Sequence, residues 1–228
     1  MKRTQSAFAL LIAILASFGT IVAISNPING WIQSQPNLAE WISTATYAVV
    51  LLVFFAVYGA LQSRQAKKQL QKETSLLQFS TLQFRFLDSL GGLGLILLLL
   101  LLPAFRIGSL HLARISVSMV CIAAYLALLR ISRKSLIISC TRHHILILGF
   151  DARIMIPDPN GHLAYANPTG ILAYDRIQGY RLSDAQATLY LRNESDPPIV
   201  IPVAGETAKQ LEGILVMHHI PRWYPETV

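Results

Sequence analysis

Two pairs of adjacent histidines are the residues of this sequence whose types and spacing first suggest chemistry. His143 and His144 lie in the run "ISCTRHHILILGFD", and His218 and His219 lie near the C-terminus. Imidazole can ligate a metal ion or titrate near neutral pH. Adjacent residues of a strand point to opposite faces, and adjacent residues of a helix diverge by about 100°. Neither pair is therefore expected to hold one ion, and we predict no metal site.

Motifs of catalysis and cofactor binding are also missing from the sequence. It contains no "GxSxG" nucleophile turn and no "GxxxxGK" phosphate loop. The "GGLG" run at residues 91–94 lies in an apolar block, where small residues favour close helix approach. Cys121 and Cys140 fall in different kinds of segment, so each is interpreted as small apolar filler. We predict a protein that is not an enzyme and has no cofactor.

Composition and charge distribution indicate a membrane protein. Apolar residues make up 53% of the chain and charged residues 14%, whereas soluble proteins carry about a quarter charged residues. Up to Lys134 there are 12 basic and 3 acidic residues, and from Ser135 onward there are 7 and 9. The basic excess thus belongs to the apolar half, where it sets topology. The tail has no basic stripe, so we predict no nucleic-acid partner.

Four apolar blocks are each expected to cross the bilayer, at residues 7–24, 41–61, 89–105 and 112–130. The fourth is the weakest, because Arg114 and Arg130 closely flank its apolar part. The first is too long for a cleaved signal peptide and is expected to be an uncleaved anchor. The fold class is therefore a membrane protein with four transmembrane helices in residues 1–134, followed by a β-rich domain in residues 135–228.

Loop charges predict the orientation of these spans. The side that holds Lys2 and Arg3 has ten basic residues in total, these two included, and the other side has only Arg106 and Arg114. Basic residues concentrate in cytoplasmic loops. We predict a multi-pass protein of the bacterial inner membrane with both termini in the cytoplasm.

The internal connection at residues 62–88 lacks proline and glycine, which favours helix. We predict a helical extension of the second span, followed by an amphipathic helix that carries Leu76, Phe79, Gln83 and Phe86 and lies against headgroups. Three lysines are candidates for binding lipid headgroups, namely Lys67, Lys68 and Lys72. The alternative is a solvated flank that stops translocation.

After Lys134 the pattern changes to short β-type runs. "SLIIS" and "HILILGF" suit a hairpin, "ARIMI" and "HLAYA" flank the turn "PDPNG", and three further runs follow. Near the end, one helical stripe carries Ala208, Leu211, Leu215 and His219. We predict about six strands closed by one helix, with Ile145, Ile147, Leu189 and Leu191 in the core.

The tail resembles the small domain of bacterial polytopic membrane proteins that end in a pleckstrin-homology-like (PH-like) domain. The resemblance runs from Leu136 to His219 through "ISCTRHHILILGF", "ILAYDRIQGYRLS", "ATLYLR" and "IVIPV". Such domains carry an aromatic, two polar residues, an Ile and a second aromatic, which here are Tyr174, Asp175, Arg176, Ile177 and Tyr180. The chain departs from that pattern with Tyr174 in place of Trp and with a Pro-rich hairpin. The resemblance implies a fold and a membrane-anchored binding module, not a reaction.

These features lead us to expect a membrane-anchored binding or scaffold module, which acts as a non-catalytic subunit or as a recruiter. Its expected partners are membrane lipids and an unidentified protein. Candidates for partner binding are the hairpin at residues 157–170 and Tyr174, Arg176, Tyr180 and Arg181. Alternatively, the two tyrosines pack in the core. A different class of function is a lipid- or solute-handling protein whose helix bundle is active through facing hydroxyls of Thr44, Thr46, Ser116 and Ser118.

Overall fold

The computed structural model describes residues 3–80, 87–107, 112–154, 170–193 and 198–223. The helical half consists of α1 (Arg3–Ser34), α2 (Ala39–Gln62), α3 (Arg64–Leu70), strand β1 (Ser75–Phe79), α4 (Leu87–Ile107) and α5 (Leu112–Ser135). The tail consists of β2 (Ile137–Thr141), β3 (His144–Leu148), β4 (Gly170–Ala173), β5 (Ile177–Ser183), β6 (Gln186–Leu191), β7 (Ile199–Pro202) and α6 (Gly205–Met217). Short 3₁₀ turns occupy Pro36–Leu38 and Tyr174–Arg176.

Within the described residues, three helical stretches are long and apolar enough to cross a membrane, where the sequence predicts four. They are Leu10–Ser34, Ala39–Leu70 and Leu112–Ser135. The apolar stretch of α4, Leu90–Leu100, is shorter. The block expected to be weakest is among the three, because α5 does not stop at its flanking arginines and continues through Arg130 for a total of 24 residues.

Helix α1 extends beyond the block at residues 7–24 and ends at Ser34, with Pro27 inside it. A proline removes one backbone donor from a helix, but it leaves the following hydrogen bonds possible. The loop predicted between the first two spans is therefore mostly helical. Only Gln35 and a 3₁₀ turn separate α1 from α2.

Helices α2, α4 and α5 share an apolar core, in which the rings of Phe55 and Tyr125 lie 4.5 Å apart between centroids. Gly92 of α4 faces Tyr125 so closely that an added Cβ would overlap the phenol ring and its hydroxyl. The interpretation of "GGLG" as a site of close helix approach is thus confirmed at Gly92. At Gly94, a Cβ would meet nothing within 4 Å.

The connection after α2 is only partly helical. Helix α3 confirms the predicted extension, but Ser75–Phe79 forms strand β1, so the prediction of an amphipathic helix over Leu76 and Phe79 is wrong. Burial in β1 alternates with a period of two, and the strand pairs antiparallel with β2. Strand β1 pairs with the backbone edge of β2, which lies far along the chain, so the local sequence pattern could not predict the strand. Gln83 and Phe86, which supported the helical pattern, lie outside the described residues.

The strands form two antiparallel sheets. The first has the order β1-β2-β3-β4 and the second the order β5-β6-β7. Both sheets and α6 contribute to one apolar core, which includes Ile138, Ile145, Ile147, Leu189, Ile201, Leu211 and Leu215. Leu191 packs against this core and is partly buried. The closing helix and five of the runs predicted as strands are confirmed, and "GILAYDRIQGYRLS" forms two strands, β4 and β5, with a 3₁₀ turn between them. Most of "ARIMI" and all of "HLAYA" lie outside the described residues.

Helix α3 covers the outer face of the first sheet. Ala66 and Leu70 pack against Leu146, Leu148 and Ile171. Strand β3 is thus buried on both faces, which explains why "HILIL" is a continuous apolar run and does not alternate. Residues 64–80 therefore belong structurally with the tail, and the boundary predicted at Ser135 divides the β-rich unit.

Candidate functional site

The outer face of the second sheet presents aromatic and cationic side chains. Tyr180 pairs with Leu189 and Arg181 pairs with Thr188, so the pleat sends Tyr180 into the core and Arg181 outward. Gly179 pairs with Tyr190 in the next outward row. The ring of Trp223 stacks on Tyr190, with 5.3 Å between centroids.

The C-terminal segment holds Trp223 against this face by backbone hydrogen bonds. The Tyr180 amide donates to the Pro221 carbonyl at 3.0 Å, and the Trp223 amide donates to the Tyr180 carbonyl at 2.6 Å. A Cβ at Gly179 would lie 2.9 Å from a ring carbon of Trp223. Glycine is therefore required here for the close approach of the indole ring.

Of the four residues predicted to bind a partner, the two arginines are exposed and the two tyrosines are buried. Tyr174 and Tyr180 are 5% and 2% exposed, so the prediction that their rings present surface is wrong and they pack in the core. The Tyr174 hydroxyl donates to the Thr141 carbonyl at 3.1 Å, and burial raises its pKa above the ordinary value. Of the hairpin at residues 157–170, only Gly170 is described.

Three further residues lie on this face, of which Arg192 and Trp223 are exposed and Tyr190 is half-buried. We define the outer-sheet face as Arg176, Arg181, Tyr190, Arg192 and Trp223. The Arg192 amide donates to the Arg176 carbonyl at 2.8 Å, which brings these two positions together. The alternation of "ATLYLRN" could have identified Tyr190 and Arg192, because they lie out of phase with Leu189 and Leu191. Trp223 gave no signal, because its contact is a long-range one.

The histidines are dispersed around the turn between β2 and β3. His144 Nδ1 lies 3.0 Å from Glu73 Oε1, while His143 is exposed. Glu73 also accepts hydrogen bonds from the hydroxyl of Thr141 and the amide of Gln69. Burial raises the pKa of Glu73, but these hydrogen bonds and the charge of His144 outweigh it, so the pKa is lowered. This cluster ties the segment between α3 and β1 to the hairpin.

His218 packs on Tyr174, with ring centroids 3.8 Å apart. Burial, followed by the neighbouring charges of His143 and His219, lowers the pKa of His218. Among the described residues, no three His, Cys, Asp or Glu side chains converge as metal ligands would. The arrangement is that of a structural contact between α6 and the first sheet.

A buried ion pair, Asp151–Arg153, lies where the tail meets the helices, and the sequence analysis did not identify it. The guanidinium donates to both carboxylate oxygens at 2.8 Å, and the side chains are 1% and 2% exposed. The segment that carries them follows β3 as "FDARI". Opposite charges two residues apart within apolar sequence are the signal that could have revealed it.

Backbone hydrogen bonds fix this segment between α2 and α5. The Asp151 amide donates to the Gly59 carbonyl at 3.1 Å, and the Ala152 amide donates to Ser132 Oγ at 3.0 Å. A Cβ at Gly59 would lie 2.8 Å from the Phe150 ring and 3.0 Å from backbone atoms of this segment. Ile154, which follows, packs against the apolar core of the bundle.

The three candidate headgroup lysines are all exposed and lie within two turns of one another. Lys67 and Lys68 belong to α3, and Lys72 precedes Glu73, which contacts the turn between β2 and β3. That turn is at the end of the sheet remote from α5, because β2 begins directly after α5. The Gln71 amide donates to the Lys67 carbonyl and the Lys72 amide to the Gln69 carbonyl, so the helical geometry continues to Lys72. Lys72 is therefore only about 6 Å along the helix from Lys68.

Two of the four hydroxyls considered for transport, those of Thr44 and Thr46, bond within their own helix. Thr44 donates to the Glu40 carbonyl at 2.7 Å, and Thr46 donates to the Ile42 carbonyl at 2.8 Å. Such bonds satisfy a hydroxyl locally. Ser118 is buried and Ser116 is half-buried.

Together these features are those of a membrane protein in which long apolar helices accompany an antiparallel β unit. Comparison with known proteins finds no protein-family model and no curated protein that matches the chain.

Proposed function

We propose that this protein is a non-catalytic, membrane-anchored binding module that recruits a protein partner through the outer-sheet face. The observation that carries this proposal is that exposed Arg181 and Trp223 and half-buried Tyr190 lie together on a sheet face opposite the core. Tyr, Trp and Arg are the residues on which interface binding energy concentrates.

The β unit is proposed to be a PH-like domain, as the resemblance implies. Two antiparallel sheets of four and three strands with a helix at the C-terminal end support this. A departure is that β1 and β2, which pair directly, are separated in the chain by α4 and α5. The helical pair would thus be an insertion into the first hairpin of the domain.

Four crossing helices are proposed, with α4 as the additional one. Arg114, at the start of α5, contacts Glu40 at the start of α2, while the far ends of both helices contact the segment at residues 150–152. The chain therefore has to return from the β1 end to the Arg114 end before α5 begins. Helix α4 has 21 residues, which span about 31 Å.

Both termini are proposed to lie in the cytoplasm, with the protein in the bacterial inner membrane. Ala13 of α1 packs against Tyr58 near the end of α2, which supports placing the N-terminus and the β unit at one end. The predicted charge bias favours the cytoplasmic side for that end. Reporters fused at the N-terminus and after Val228 should both read cytoplasmic, and a periplasmic signal from either would reject this orientation.

Recruitment is tested by crosslinking and pull-down from native membranes with the full-length chain. The double variant Arg181→Ala/Arg192→Ala should lose crosslinked partners, because it removes two exposed cations of the face. Its melting temperature should stay unchanged, since neither side chain is in the core. The matched control is Lys209→Ala, which removes an exposed cation of α6 and should retain the partners. Unchanged recovery in the double variant would reject the face as the binding site.

A further inference from the structure

The ends of α2 and α5 lie at one level beside the β unit. Consecutive amides, those of Asp151 and Ala152, bond to Gly59 of α2 and Ser132 of α5, so these two positions are neighbours in space. At the other end, Arg114 contacts Glu40. Helices α2 and α5 therefore run in the same direction, and the residues next to Gly59 and Ser132 lie at one end of this helix pair.

Among the described residues, four exposed cations lie within five residues of Gly59 or Ser132 at this end. We define the cationic collar as Arg64, Arg130, Arg133 and Lys134, all of which are exposed. In residues 62–80 and 130–154 the only acidic residues are Glu73 and Asp151. Glu73 bonds to Thr141, Gln69 and His144, and Asp151 is buried against Arg153. Within the described part of the chain, no collar residue forms a salt bridge.

The collar residues lie at the depth where the apolar parts of α2 and α5 end. Along α5, Arg130, Arg133 and Lys134 lie within two residues of Ser132, which is about 3 Å at 1.5 Å per residue. Arg64 follows Gly59 by five residues, or about 7 Å of helix. A headgroup layer is about 5–8 Å thick on each side of the hydrocarbon core. Long basic side chains extend readily into that layer.

We infer that the cationic collar binds the headgroups of anionic phospholipids and selects them over zwitterionic ones. The inference rests on the membrane anchoring proposed above and adds the lipid class and its site. The occupant is a lipid surface because the cations lie at the ends of both helices at headgroup depth, and no carboxylate of residues 62–80 or 130–154 pairs with them. The three lysines predicted for this role, Lys67, Lys68 and Lys72, lie farther along α3 and are not part of the collar.

The test uses the full-length protein in nanodiscs that contain equal amounts of phosphatidylglycerol and phosphatidylcholine. Native mass spectrometry measures the ratio of the two lipids retained by the protein. We expect enrichment of phosphatidylglycerol, and a loss of enrichment in Arg133→Gln/Lys134→Gln. The expected loss is about fivefold for each cation removed, which corresponds to about 1 kcal/mol per basic residue at a membrane surface.

The matched control is Lys72→Gln/Arg142→Gln, which removes the same charge at the remote end of the sheet and should keep the enrichment. An equal loss in this control would overturn the inference, because net charge alone would then explain binding. Displacement of the lipid by inorganic phosphate would also overturn it and would indicate a site for a soluble anion. If the protein stays in the membrane after carbonate extraction but retains both lipids equally, only the inference about the collar is overturned. If carbonate releases the protein from the membrane, the proposed anchoring is overturned as well.

Discussion

Tyr180 and Arg181 are neighbours in the chain that serve opposite sides of the second sheet. The Tyr180 hydroxyl reaches inward and donates to Glu212 of α6 at 3.1 Å, while Arg181 faces solvent. Tyr174 is likewise held inside, by Thr141 and His218. At the residue scale, the aromatic positions of the resemblance are therefore packing positions, and the aromatic rings on the outer-sheet face are those of half-buried Tyr190 and exposed Trp223.

The ion pair Asp151–Arg153 should be critical for stability. Asp151→Asn replaces the carboxylate that accepts two hydrogen bonds from the buried guanidinium of Arg153 with a neutral amide. The free energy of unfolding should therefore fall by about 3–5 kcal/mol. Denaturant unfolding of the full chain in detergent micelles measures this change. Replacing both partners, as in Asp151→Leu/Arg153→Met, should recover most of the loss, because apolar residues carry no desolvation cost. If the single variant were as stable as the parent, the pair would be structurally dispensable.

His218 should make the β unit less stable in mild acid. Burial and then His143 and His219 lower its folded pKa below the ordinary value of 6.5. The unfolded chain therefore binds the proton first, and stability is lost as the pH falls through about 6.5 toward the folded pKa. His218→Phe keeps a ring against Tyr174 but cannot titrate, so its melting temperature should fall less between pH 7.5 and 5.5.

Parallel pH profiles for the parent and His218→Phe would contradict this explanation. Glu73 does not interfere, because its pKa is lowered from 4.5 and its contribution is lost only at more acidic pH.

At the scale of elements, α4 and α5 depend on the absence of a side chain at Gly92. Gly92→Ala should destabilise the bundle by about 1–3 kcal/mol, because the new methyl overlaps Tyr125 and the helices must move apart. Gly94→Ala is the matched control on the same helix, and it should be neutral or slightly stabilising, since its Cβ enters open space. Thermal unfolding in detergent distinguishes the two. Equal melting temperatures for the two variants would show that α4 adapts freely.

The β-rich unit is discontinuous in the chain, and this determines how it can be isolated at the scale of the whole molecule. Residues 64–80 supply β1 and the helix that covers Leu146 and Leu148. Ser80 Oγ donates to the Leu136 carbonyl at 3.2 Å, so the two stretches of chain meet beside the helices. A short glycine-rich linker between residues 80 and 135 can therefore replace α4 and α5.

A chimera of residues 64–80, this linker and residues 135–228 should be soluble and unfold cooperatively. Residues 135–228 alone should melt at a lower temperature or aggregate, because the outer face of "HILIL" and the edge of β2 are then uncovered. Circular dichroism during heating compares the two proteins. Equal melting temperatures would show that β1 and α3 add nothing to the stability of the unit.

The sequence by itself determined the long apolar helices, the β2–β3 hairpin and the closing helix of this protein. These features depend on local properties, namely apolar length, the two periodicities and turn residues. Only the tertiary structure decided the state of Ser75–Phe79, the inward direction of Tyr180, and the meeting of Asp151 with Arg153 between α2 and α5. Each of these depends on a backbone edge or a buried surface supplied by residues far along the chain, and no local pattern contains that information.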